Sequence, residues 1–254
     1  MPYSKRGGRP LDQIRPLQFI TGFHGYAEGS TLISTGKTRV LVTASIEDSV
    51  PEFLVGKGKG WLTAEYQMHP RANPKRREKR DGRERPLGGR TREIQRLIGR
   101  SLRAAVDLDA LGERSIVLDC DVLEADGGTR TASVTGGFVA LALALAKLKA
   151  RGELTRPVLR DQVAAVSVGH VDDALALDLC YAEDSTARVD LNLVATAAGG
   201  IVEIQGTAEG AAVPKGEWDS MLALALNGIA QLTNAQVAAL REAKVELSTL
   251  MTKS

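Results

Sequence analysis

Residues 115–151, SIVLDCDVLEADGGTRTASVTGGFVALALALAKLKAR, decide the fold. The stretch opens with period-two alternation, with Ile116, Leu118, Cys120 and Val122 on one face, which marks a half-buried β-strand. It closes with an alanine-rich run, Ser133 to Arg151, that is apolar on several sides and predicts a buried helix. At the junction stands DGGTRT, residues 126–131. Two glycines let the chain turn sharply and let a ligand approach the backbone. The free N–H groups of a helix start, with the helix dipole behind them, favour an anion. Arg130 and the hydroxyls of Thr129 and Thr131 flank the same point. Two readings stand here: a helix start set by turn chemistry, or a phosphate site.

The same alternation recurs on both sides. Residues 30–48 alternate around Thr35-Gly36-Lys37 and predict a hairpin, and 51–68 continue as glycine-punctuated strand. Two further hairpins are expected around Asp172-Asp173 and around Ala198-Gly199-Gly200. Helical periodicity covers Thr91 to Leu111, with Gly112 as a stop, and returns from about Glu217, with a second segment capped by Asn234. Strands outnumber helices and hairpins are frequent, so the expected class is α+β rather than a doubly wound parallel sheet. No linker divides the chain. A single domain over 1–254 is expected, with its core at about 10–235, a basic loop at 70–89 and a C-terminal helical extension at 236–254.

The net charge of +2 conceals an asymmetry. Residues 71–103 hold 13 Lys and Arg against four acids, a local charge of +9 that leaves −7 for the rest. A focused basic region on an otherwise acidic chain points to a polyanionic partner. On the predicted helix, Arg92, Arg96, Arg100 and Arg103 recur at spacings that align them on one face. Aromatic residues are only 4% of the chain, which argues against base stacking as the main nucleic-acid contact. Cys120 and Cys180 fall in strand-like runs without metal or redox spacing, which suits a reduced, cytoplasmic setting. The basic N-terminus has no apolar core of a signal peptide, and the apolar run Phe138–Ala146 is too short to span a bilayer, so no membrane is expected.

GGRTRE (88–93) echoes GGTRTAS (127–133), each placing Gly-Gly, Arg and Thr at a helix start. Facing each other, they would cradle one tetrahedral dianion between Arg90 and Arg130. In YAEDSTARVDLN, Asp184 ends one expected strand and Asp190 opens the next, so a hairpin brings two carboxylates to one sheet end. Beside a phosphate site such a pair suits Mg²⁺, which takes one or two protein carboxylates and keeps several waters. Solvated turn residues are the alternative.

The segments DQIRPL, AEGSTLISTGKTRVLVTAS, GWLTAEYQM, GGRTREIQRLIGRSLRAAVDLDALGE, LDCDVLEADGGTRTASVTGG, YAEDSTARVDLNLV and EIQGTAEG together resemble the bacterial RNase PH family, over about residues 5–230. The resemblance implies a phosphorolytic 3′→5′ exoribonuclease and tRNA nucleotidyltransferase that trims tRNA precursors with inorganic phosphate. It implies a fold like the ribosomal protein S5 domain 2 type, and a homohexameric ring built as a trimer of dimers. Position by position, it implies phosphate binding by Arg90, Gly128, Thr129 and Arg130, and a catalytic, Mg²⁺-holding pair in Asp184 and Asp190. Arg71, Arg76, Arg77 and Arg80, with Arg96 and Arg100 of the helical row, are the implied RNA-binding residues. Two rivals share these features in part. A catalytically inactive RNA-binding ring subunit of an exosome-like assembly would have lost the anion-site arginines or the acidic pair. A hydrolytic Mg²⁺ nuclease would show more clustered carboxylates and a water-activating base.

Overall fold

The computed structural model describes residues 6–75, 77 and 86–252. The hairpin expected around Gly36 forms from β2 (Gly29–Thr35) and β3 (Thr38–Glu47), with Gly36 at φ +56° in the turn. β1 (Leu17–Thr21) pairs outside β2. β5 (Ser115–Glu124) lies antiparallel to β3, and β4 (Trp61–Met68) lies parallel to β5 at the sheet edge. The five-stranded order is therefore β1-β2-β3-β5-β4. A second sheet, ordered β7-β6-β8-β9, is antiparallel throughout and consists of β6 (Val163–Val171), β7 (Ala174–Leu177), β8 (Val189–Thr196) and β9 (Ile201–Ala208).

Among the described residues, five helices complete the α+β fold: α1 (Gly89–Ala104), α2 (Leu108–Leu111), α3 (Thr129–Ala150), α4 (Tyr181–Asp184) and α5 (Lys215–Glu242). The apolar run after DGGTRT forms α3, which packs on β2 and β3 of one sheet and on β6 of the other. Its side chains from Val134 to Leu145 are almost all buried, Phe138 completely. By length and composition α3 would also cross a bilayer, longer than the run Phe138–Ala146 alone suggested, but here it is buried inside the protein. Strand and helix meet at backbone distance: a Cβ on Gly29 of β2 would lie 2.0 Å from the Ala140 carbonyl oxygen.

A buried polar link ties α3 to the second sheet and to α5. Thr135 Oγ1 accepts from the Ala165 N–H at 3.1 Å and donates to the Ala165 carbonyl at 3.2 Å. The Gln236 amide donates to the Thr135 and Val163 carbonyls, both at 3.0 Å. Such groups are retained in a core only when their hydrogen bonds are made.

Several expectations change. Residues 51–60 are not strand: Pro51 precedes a short 3₁₀ turn at Glu52–Leu54, and Gly56 and Gly58 take positive φ. The helix expected over 91–111 begins at Gly89 and breaks after Ala104, where Asp107 caps the separate turn α2 through the N–H groups of Asp109 and Ala110. α3 begins four residues before Ser133. No break occurs at Asn234, because apolar positions continue on the same face through Ala239 and Leu240. Cys120 lies in β5 as expected, whereas Cys180 precedes α4 outside any strand; neither is in a disulfide.

Candidate active site

The site starts from the two glycines. Gly127 and Gly128 hold φ of +79° and +66°, the left-handed region that favours glycine, and Gly128 is the N-cap of α3. A glycine cap brings no side-chain acceptor, so the first-turn N–H groups of a 22-residue helix face outward. The Thr131 hydroxyl is excluded from this cradle: it is buried and donates to the Gly128 carbonyl at 2.9 Å. Thr129 Oγ1 lies 2.9 Å from the Tyr66 hydroxyl, beneath the cradle. Burial pushes the Tyr66 phenol up, against its hydrogen bond to Thr129 and the fields of Arg90 and Arg130, so it stays protonated as a neutral partner.

Arg130 extends from the first turn of α3 and donates to Gln205 Oε1 of β9 at 2.7 Å, with Glu93 of α1 at 3.5 Å. Arg90, exposed at the start of α1, acts electrostatically on the same two groups as Arg130, Tyr66 and Asp184. Both glycine-led helix starts thus place an arginine whose field reaches Tyr66 and Asp184.

The carboxylates arrive differently from the expected hairpin. Asp184 ends the helical turn α4, not a strand, while Asp190 lies in β8 opposite Gly169 and Thr207. The α4 turn is tied by Glu183, whose Oε2 accepts the Cys180 N–H at 2.9 Å and whose Oε1 meets Arg6 at 2.8 Å. Loss of surrounding water raises the Asp184 carboxyl above its ordinary range, only partly offset by Arg90, Arg130 and Arg15. Burial likewise raises Asp190, and repulsion from Asp184 adds to it, against the pull of Arg130. Two carboxylates that repel each other beside two arginines suit a divalent cation shared with a phosphate, since Mg²⁺ needs few protein ligands when phosphate oxygens supply the rest. Among the described residues, no group of three or more His, Cys, Asp and Glu side chains forms a closed metal cage.

The basic residues divide. Arg71 and Arg77 are exposed in the loop, and Arg96 is exposed on α1. Arg76 and Arg80 lie outside the described residues. Arg100 is held bidentately by Glu203 of β9, at 2.7 and 2.8 Å. Arg103 leaves the expected row: it lies over the Trp61 ring at 4.6 Å and donates to the Leu62 carbonyl.

Three contributors escaped the sequence. Tyr66 had a signal, since period two in β4 puts it inward with Leu62 and Ala64, where a phenol needs a partner. Gln205 had none. Nor had Arg15, which is buried against Asp178 and the Asp126 carbonyl, groups 163 and 111 residues away in sequence.

The α3 start, two arginines and a neighbouring carboxylate pair together make up the candidate site. Residues 13–147 match domain 1 of the 3′ exoribonuclease family and residues 161–228 match its domain 2, so the chain belongs to that family, the RNase PH family. Rice (Oryza sativa) Rrp46 is similar in structure, with a TM-score of 0.74 at 16% identity over 92% of this chain and 98% of that one. A chain of the Archaeoglobus fulgidus exosome with RNA bound to the active site matches with a TM-score of 0.71 at 22% identity, covering 90% and 91%. A chain of an archaeal exosome core gives 0.69 at 21% identity, over 90% and 89%.

Proposed function

We propose that this chain is a phosphorolytic 3′→5′ exoribonuclease that trims the 3′ ends of tRNA precursors with inorganic phosphate. The observation that supports the reading is that Arg130, in the first turn of α3, acts electrostatically on both Asp184 and Asp190, and Arg90 on Asp184. The attacking group is already anionic near neutral pH, so the site needs no strong base; it must hold two repelling anions in line. Arg90, Arg130 and the first N–H groups of α3 bind and orient the phosphate, and the Tyr66–Thr129 contact fixes its floor. A phosphate oxygen attacks the phosphorus of the last diester, the bond to the 3′-oxygen breaks, and a nucleoside diphosphate leaves as the shortened RNA regains its 3′-hydroxyl. Asp184 and Asp190 would hold Mg²⁺, which offsets charge on the scissile phosphate and the departing oxygen. The linkages exchanged are comparable in energy, so excess diphosphate reverses the reaction. A homohexameric ring and a cytoplasmic setting belong to the same reading.

The second reading, an RNA-binding ring subunit without catalysis, is favoured by the likeness to exosome chains. One assay separates the readings. RNA incubated with the protein and Mg²⁺ should yield nucleoside diphosphates only when phosphate is present. Monophosphates without phosphate would indicate hydrolysis, and intact RNA in both tubes would favour the inactive subunit.

A further inference from the structure

The phosphate-binding turn and the acid-bearing turn belong to the two different family-domain matches, yet they touch backbone to backbone. A Cβ on Gly127 would lie 2.7 Å from the Leu179 carbonyl oxygen and 2.8 Å from the Tyr181 nitrogen. The Tyr181 N–H donates to the Asp126 carbonyl at 3.1 Å. One buried side chain spans both turns. Arg15 grips Asp178, just before the acid turn, through Nε at 3.0 Å and Nη2 at 2.7 Å, and its own backbone N–H adds a third bond at 2.7 Å. Its remaining nitrogen, Nη1, donates to the Asp126 carbonyl at 2.8 Å. Asp178 itself sits at φ +55°, a conformation that a residue with a side chain keeps only when its surroundings hold it there. From the chain start, Arg9 strengthens the hold, donating to the Leu177 and Asp178 carbonyls at 3.0 and 2.9 Å.

We propose that Arg15 is a positioning residue that fixes Asp184 relative to the bound phosphate by clamping the turn 178–184 to the turn 126–128. The proposal rests on the phosphorolytic reading above. A guanidinium suits the role because its fork reaches two acceptors in different directions, which the point charge of a lysine cannot do. Arg15→Lys keeps a cation beside Asp178 and removes the guanidinium bond to the Asp126 carbonyl, leaving the Tyr181 N–H as the remaining tie between the two turns. Arg90 and Arg130 keep their own contacts, so phosphate still binds, but against a carboxylate pair that is no longer held in register.

The test uses full-length Arg15→Lys and Asp178→Asn, with melting curves to establish that each is folded at the assay temperature. The expected result is a fall in kcat of about tenfold or more, as misplacement by a fraction of an ångström to an ångström produces, with KM for phosphate and RNA affinity within about twofold. Hydrogen exchange at the Tyr181 amide should accelerate in the same variants. A lowered melting temperature with unchanged kcat per folded molecule would reduce Arg15 to a scaffold residue and overturn the proposal. Should the parent protein show no phosphorolysis, the functional reading fails separately, and an unchanged Tyr181 exchange rate in Arg15→Lys then overturns the clamp. If neither variant folds, Arg9→Gln loosens the same turn from its accessible end, and unaltered kcat and exchange there count equally against the clamp.

Discussion

When Asp184 and Asp190 lose their protons, two like charges form in a place already short of water, and both carboxyls are raised accordingly, by burial first and, for Asp190, by Asp184 next. Between the ordinary carboxylate range and these raised values, the folded chain binds more protons than the unfolded one. Stability therefore falls as pH rises through that window, and the loss persists above it. Asp190→Asn removes the repulsion, so it should melt higher than the parent at pH 7 and equally below the ordinary carboxylate range, while losing phosphorolysis. Melting curves at both pH values with parallel product analysis check this; a lower melting point at pH 7 would contradict it. Arg130 is the complementary case, a cation in the first turn of α3 that is held by Gln205 and Glu93 and acts on both carboxyls. Arg130→Ala should lower phosphorolysis about 10²–10³-fold while leaving RNA affinity nearly intact, read by product analysis beside filter binding. Equal loss of both would show that the arginine serves RNA rather than phosphate.

Among the elements, α3 was the most legible in the sequence, because a run apolar on all sides after two glycines admits few other structures. Its apolar run marks the helix only from Ser133, because Thr129 and Arg130 are polar and helical periodicity carries no signal for polar residues at a helix end; the two glycines mark the true start. The acid turn was misread in kind. Alternation through ALALDLC suggested a strand up to Asp184, but the strand ends at Leu177, and Glu183 then closes a helical turn by capping the Cys180 N–H. Pairing with residues 6–15 decides that outcome, and no local pattern contains it. The contact of Gly127 with 179–181 yields a prediction at this scale. Gly127→Ala combines a strained φ with a backbone clash and should destabilise by about 2 kcal/mol or more, a shift of several degrees in melting temperature. It should also impair catalysis beyond what the lost stability explains, measured as kcat on fully folded protein.

For the molecule as a whole, the proposed function assigns RNA handling to the basic segment and the chemistry to the cradle. The +9 segment was plain in the sequence, but the division of its arginines was not, because the acceptors of Arg100 and Arg103 lie on other strands, at Glu203 and Leu62. Replacing Arg71, Arg77 and Arg96 by Ala should flatten the dependence of RNA affinity on salt, by about 0.7 in log–log slope for each arginine–phosphate pair removed from a single strand. Short oligonucleotides, which need only the cradle, should be degraded nearly as before; an unchanged slope would remove these residues from the interface. The Thr135–Gln236 link bears on inheritance as well as stability. The matches to the two family domains end and begin on either side of residues 148–160, which invites recombination there, yet α3 belongs to the first match and forms the floor of the second sheet. A chimera joining residues 1–160 of this chain to a homologue's second half would keep the Thr135 hydroxyl on the Ala165 backbone but lose the amide that bridges the Thr135 and Val163 carbonyls, unless the donor supplies a glutamine at the position of Gln236. Recombination among relatives is thus constrained by one buried amide, and chimeras that respect it should be soluble where the others aggregate.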